Sequence, residues 1–120
     1  MKRRYFLSSS FLGLAFLLIQ SCSQKPLCDL PQEITYTQTV APLIEAKCFM
    51  CHSQEVYKTK ASRNKIYTYE SLKKMATSGT LMGAITHQKG YIAMPYKKNE
   101  KIDTCAIATI AKWVATGMKQ

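Results

Sequence analysis

The sequence predicts an all-α domain, and three observations predict it. Apolar residues recur at helical spacing in the segments 37–48 and 103–117. Helix-start and helix-stop residues bracket the candidate helices. No segment alternates apolar and polar residues as a half-buried strand would. The chain has 120 residues, which allows one domain. Its 47% hydrophobic content and few Gly and Pro exclude a low-complexity or fibrous chain.

Each element has its own justification. Val40, Leu43 and Ile44 set the apolar stripe of the first helix, over Thr37 to Cys48. Pro42 is tolerable only near the start of that helix, where backbone N–H groups lack partners, and Thr37 or Thr39 suits the cap. Residues 53–67 are polar, basic and without period, so they read as a loop. Thr68 caps a short helix through Tyr69, Leu72, Lys73 and Met75, which stops at Ser78-Gly79. Leu81 to His87 forms another turn or two. Residues 88–101 hold Gly90, Pro95 and four lysines (Lys89, Lys97, Lys98 and Lys101), which is loop chemistry. The clearest helix comes last. Asp103 or Thr104 caps it, Ile107, Ile110, Ala111 and Val114 form its stripe with Trp113 alongside, and Gly117 ends it.

The N-terminal segment reads as an address. Met1-Lys2-Arg3-Arg4 precedes an apolar run from Tyr5 to Ile19, interrupted by Ser8-Ser9-Ser10. That run is about 15 residues, short of the roughly 20 a spanning helix needs. It ends Leu18-Ile19-Gln20-Ser21-Cys22, which resembles a bacterial lipobox, with Gln20 where a small residue is usual. The expected division is a lipoprotein signal peptide over 1–21, a tether over 22–35 and a folded domain over 36–120. Cleavage before Cys22 would put lipid on its sulfur, and several acyl chains anchor stably where one does not. An ordinary signal peptide with a chance cysteine is the alternative. Removing Lys2, Arg3 and Arg4 leaves 14 basic against 7 acidic side chains, a net charge of +7.

Residues 48–52 carry the chemistry: Cys48-Phe49-Met50-Cys51-His52. Two cysteines three apart with a histidine directly after the second is the attachment pattern for c-type haem. On one helical turn, two such thiols can each add to a vinyl group of one porphyrin, and the next imidazole faces the iron. A zinc site wants four ligands, and the chain offers no second Cys-x-x-Cys or paired histidines to complete a set. A redox Cys-x-x-Cys pair belongs in a βαβ context, which this sequence lacks; a disulfide is the remaining alternative.

Haem iron needs a sixth ligand or an open position. Met50 lies inside the attachment turn and cannot reach the opposite face. Met75 and Met82 fall in helices, where an apolar Met is usually core, and Met118 is at the frayed end. Met94 sits in a loop, and Pro95 after it biases it toward an extended conformation. Met94 is therefore the preferred ligand and His87 the alternative.

This order of features resembles the small class I cytochromes c, and more narrowly is similar to the single-haem cytochrome c lipoproteins of the Bacteroidetes. The resemblance covers residues 28–117. It rests on the attachment motif, on Tyr36-Thr-Gln-Thr-Val-Ala-Pro-Leu-Ile before it, and on Gly90-Tyr91-Ile92-Ala93-Met94-Pro95. Ile102-Asp103-Thr104-Cys105 and the helix around Trp113 complete it. Tyr96-Lys97-Lys98-Asn99 stands where relatives are Gly-rich. The resemblance implies that the first and last helices cross around one covalent haem. Val40, Leu43 and Ile44 would then meet Ile110, Trp113 and Val114.

With Cys22 assigned to lipid and Cys48 and Cys51 to haem, Cys28 and Cys105 remain. In an exported protein they are expected to pair, the alternative being two unrelated thiols. The expected function is single-electron transfer through haem c with His52 and Met94 as axial ligands, on the periplasmic side of a bacterial membrane. Ser23 after the lipid cysteine points to the outer membrane. A peroxidase-like haem enzyme, or a redox or gas sensor with a dissociable sixth ligand, is the alternative, and no catalytic residue is assigned. The lysines of 89–101 would steer an acidic redox partner protein, or merely solvate a loop. The membrane contact is the lipid anchor, and nucleic acid is not an expected partner.

Overall fold

The computed structural model describes residues 27–120. The signal segment, Cys22 and Ser23 lie outside the described residues. A π-helical turn, Tyr36–Val40, leads straight into α1 (Ala41–His52). Then come α2 (Tyr57–Lys60), α3 (Tyr69–Thr77), α4 (Thr80–Ile85) and α5 (Thr104–Ala115). Every regular element among the described residues is helical, and no helix there is long and apolar enough to cross a membrane.

The first helix begins earlier than Thr37. Its cap is Thr35, neither Thr37 nor Thr39: the Thr35 hydroxyl accepts the Gln38 N–H at 3.3 Å. The reason is tertiary. Tyr36 donates its N–H to the Lys119 carbonyl at 2.9 Å, so the entering chain is fixed one residue before the expected start. The wide turn also suits Pro42, which has no N–H to give and sits just past it. The helix continues through the whole Cys48–His52 motif.

The capping of the other long helices follows sequence. Thr68 and Ser71 form a reciprocal capping box at α3. Asp103 caps α5 by accepting the Ala106 N–H at 2.8 Å, and the Lys47 ammonium 3.0 Å away ties that cap to α1. The hydrogen bond from Ala106 and, next, Lys47 hold the Asp103 carboxyl below its usual range. Gly117 leaves α5 at φ +91°, which glycine adopts without a Cβ penalty.

One core joins these elements. Val40, Ile44, Leu72, Ile110 and Trp113 are buried in it, with Leu43 and Val114 packed at its margin. Tyr36 and Tyr69 flank the Trp113 ring, with centroids 6.2 and 6.5 Å away. Trp113 is fully buried and donates its indole N–H to the Lys119 carbonyl at 2.8 Å. Met118 is held rather than frayed. Its N–H goes to the Trp113 carbonyl, and its own carbonyl accepts the Tyr69 hydroxyl.

Residues 28–35 dock along α5. Cys28 and Cys105 are joined by a disulfide across 77 residues of sequence. Further along, the Lys112 ammonium donates to the Pro31 carbonyl at 2.6 Å and Lys119 pairs with Glu33 at 2.7 Å. Three extended residues and two helical turns both cover about 10 Å, so the strap and α5 keep pace. Ile34, 2% exposed, then drops into the core.

Candidate functional site

Cys48, Cys51 and His52 occupy the last two turns of α1. Positions three apart share a helix face, so Cys48 and Cys51 stand together, half-buried, while Met50 between them is 78% exposed. Neither thiol is in a disulfide. Cys48 and Phe49 pack against the core. That burial pushes the Cys48 thiol up to about 11.

His52 is oriented by one hydrogen bond, from Nδ1 to the Asn64 carbonyl at 3.0 Å. A carbonyl oxygen only accepts, so Nδ1 carries the proton and the neutral ring keeps its lone pair on Nε2. A histidine that ligates a metal is commonly fixed this way, its second nitrogen donating to a carbonyl. The loop that supplies the acceptor is itself tied down. Arg63 and Asn64 donate their N–H groups to the Tyr57 and Ala61 carbonyls at 3.1 and 2.8 Å. Ala61 and Ile66 are buried on either side, and the rings of Tyr57 and Tyr67 meet edge-on at 5.2 Å.

Met94 belongs to a second assembly, built on α4. The Met94 N–H donates to the Ala84 carbonyl at 3.0 Å, and its carbonyl accepts Nε2–H of His87 at 3.0 Å. The Tyr91 ring lies directly on Gly83, where a Cβ would collide with it. Gln88 donates its N–H to the Gly83 carbonyl at 2.9 Å, closing the loop onto the helix end. Met94 is half-buried with both backbone groups engaged. Met75, Met82 and Met118 pack on the core.

Cys48, Cys51 and His52 have the donor chemistry a covalent haem would use, two thiols and one imidazole. Among the described residues, no three His, Cys, Asp or Glu side chains converge to hold an ion. Cys48, Cys51 and His52 are neighbours in sequence without being a joint ligand set. Haem attachment asks for that division: two sulfurs for carbon and one imidazole for iron. The basic loop is free of ion pairs among the described residues. Lys89, Lys97, Lys98 and Lys101 are exposed, while the ion pairs there are Lys47–Asp103 and Lys119–Glu33.

Three contributors carried no clear sequence signal or only a faint one. Asn64 and Ala84 act through backbone carbonyls, which any residue provides. Gly83 left a faint trace: a glycine inside a helical pattern costs about 1 kcal/mol against alanine. No family model, curated protein or solved structure matches this chain.

Proposed function

We propose that this chain is a single-electron carrier of the class I cytochrome c type, with one haem c attached through Cys48 and Cys51. His52 and Met94 are its axial ligands, and α1 and α5 cross around it. The observation that carries the reading is the hydrogen bond from His52 Nδ1 to Asn64, which leaves Nε2 as the coordinating atom. A bound haem c supplies a one-electron ferric–ferrous couple. The chain's own part is to position two ligands, exclude water and tune the couple. A thioether from Met94 favours the ferrous form and raises the potential. The lipid on Cys22 anchors the protein at the periplasmic side of a membrane, the outer membrane on the reading of Ser23. The exposed lysines of 89–101 steer redox partner proteins with acidic faces, an attraction that salt screens.

An enzymatic reading requires a free acid–base group on the Met94 side. The candidate imidazole there is His87, and its Nε2–H is committed to the Met94 carbonyl. The spectrum of the oxidised protein tests the choice. A methionine–iron charge-transfer band supports the carrier, and a high-spin spectrum supports a peroxidase-like enzyme or a sensor with an open position.

A further inference from the structure

We infer that His87 is a positioning residue for Met94, an inference that rests on the reading of Met94 as iron ligand. His87 follows α4 at φ +57°, in the left-handed region. Glycine enters that region freely, and Asn, Asp and His are the side chains most enriched there. The backbone at this position therefore accepts an imidazole. The gain is the hydrogen bond. Nε2–H reaches the Met94 carbonyl at 3.0 Å, seven residues ahead, from a half-buried ring.

That bond is half of a two-point clamp. The other half is the Met94 N–H on the Ala84 carbonyl, also at 3.0 Å. Two anchors of opposite polarity, both on the C-terminal end of α4, fix the Met94 backbone and the direction from which its side chain departs. The flanking loop has no regular structure between residues 88 and 103. With the His87 donor removed, Met94 keeps a single backbone anchor, and its sulfur is displaced from iron more easily. His87 thus acts through Met94 and touches no haem atom in this account.

The test uses the full haem-loaded chain and imidazole as the competing ligand. The ferric protein is titrated with imidazole while the methionine–iron band is followed. His87→Gly removes the donor and accepts φ +57° without strain, so the urea midpoint stays near wild type. The imidazole concentration at half-displacement falls about fivefold, the scale of one net hydrogen bond. His87→Gln, whose amide N–H sits the same number of bonds from Cα, recovers most of that loss. An unchanged half-displacement concentration in His87→Gly, or a fall wholly matched by lost urea stability, overturns the inference. Met94→Ala separates the two levels. If it keeps the band, the Met94 reading fails and takes this inference with it. If it loses the band while His87→Gly titrates like wild type, only the role of His87 fails.

Discussion

The two regions proposed to carry the iron ligands are held by different means. His52 closes a 12-residue helix that continues from a π-helical turn, and a single side-chain bond to Asn64 aims its ring. Met94 has no secondary structure of its own and is clamped by backbone groups onto the six-residue α4. The first region draws its order from a continuous helix packed on the core. The second depends on a few contacts at one helix end, each individually worth about 1 kcal/mol. Such a site has a firm face and a yielding one, and perturbations should sort accordingly.

The largest effect should come from the firm face. His52→Ala removes the proposed iron ligand on α1, and the low-spin spectrum should be lost altogether. Met94→Ala should leave a coloured protein with a high-spin ferric spectrum and a lower potential. If either variant keeps the low-spin spectrum, its axial assignment is wrong.

A covalent tie outside both proposed ligand sets comes next. Replacing Cys28 and Cys105 together by Ser opens a closure of 77 residues and should cost about 4 kcal/mol in urea unfolding. The methionine–iron band should not move, because the hydrogen bonds that hold His52 and Met94 go to Asn64, Ala84 and His87 and not to the strap. A shift of that band would join what the account keeps separate.

Gly83→Ala probes the yielding face at smaller scale. Alanine normally gains up to about 1 kcal/mol over glycine inside a helix. Here its Cβ would collide with the Tyr91 ring, and overpacking of that kind costs about 1–3 kcal/mol. The net should be destabilising and should loosen Met94 more than His52, read as easier displacement of the methionine by imidazole.

A pH dependence comes last, because it is confined to the chain before haem attachment. Burial raises the Cys48 thiol from 9.0 to about 11. In the chain before haem attachment, the stability tied to this thiol is whole below pH 9 and is lost as pH rises through about 11. Alkylation of that chain at pH 8 should reach Cys51 well before Cys48. The haem-attached chain should lack this alkaline loss, because a thioether does not titrate.

The firm face was far more legible in sequence than the yielding one. Thr68, Asp103 and Gly117 mark the ends of α3 and α5 because capping is local chemistry, settled within one turn. The Cys48–His52 motif is legible for the same reason, since its spacing needs only a helix. The cap at Thr35 is not legible locally, because a contact 83 residues away, Tyr36 to Lys119, decides where the helix begins. The clamp on Met94 is harder still to read. It uses the carbonyl of Ala84, a collision avoided at Gly83 and a histidine in a left-handed conformation. Pro95 singled out Met94, but nothing local said that His87 would hold it in place of competing with it.

The most direct measurement is the intact mass of the purified, exported protein after denaturation. The expected mass is the polypeptide plus one haem, with Cys48 and Cys51 inert to alkylating reagent. A polypeptide mass without haem, with both thiols reacting, would contradict it.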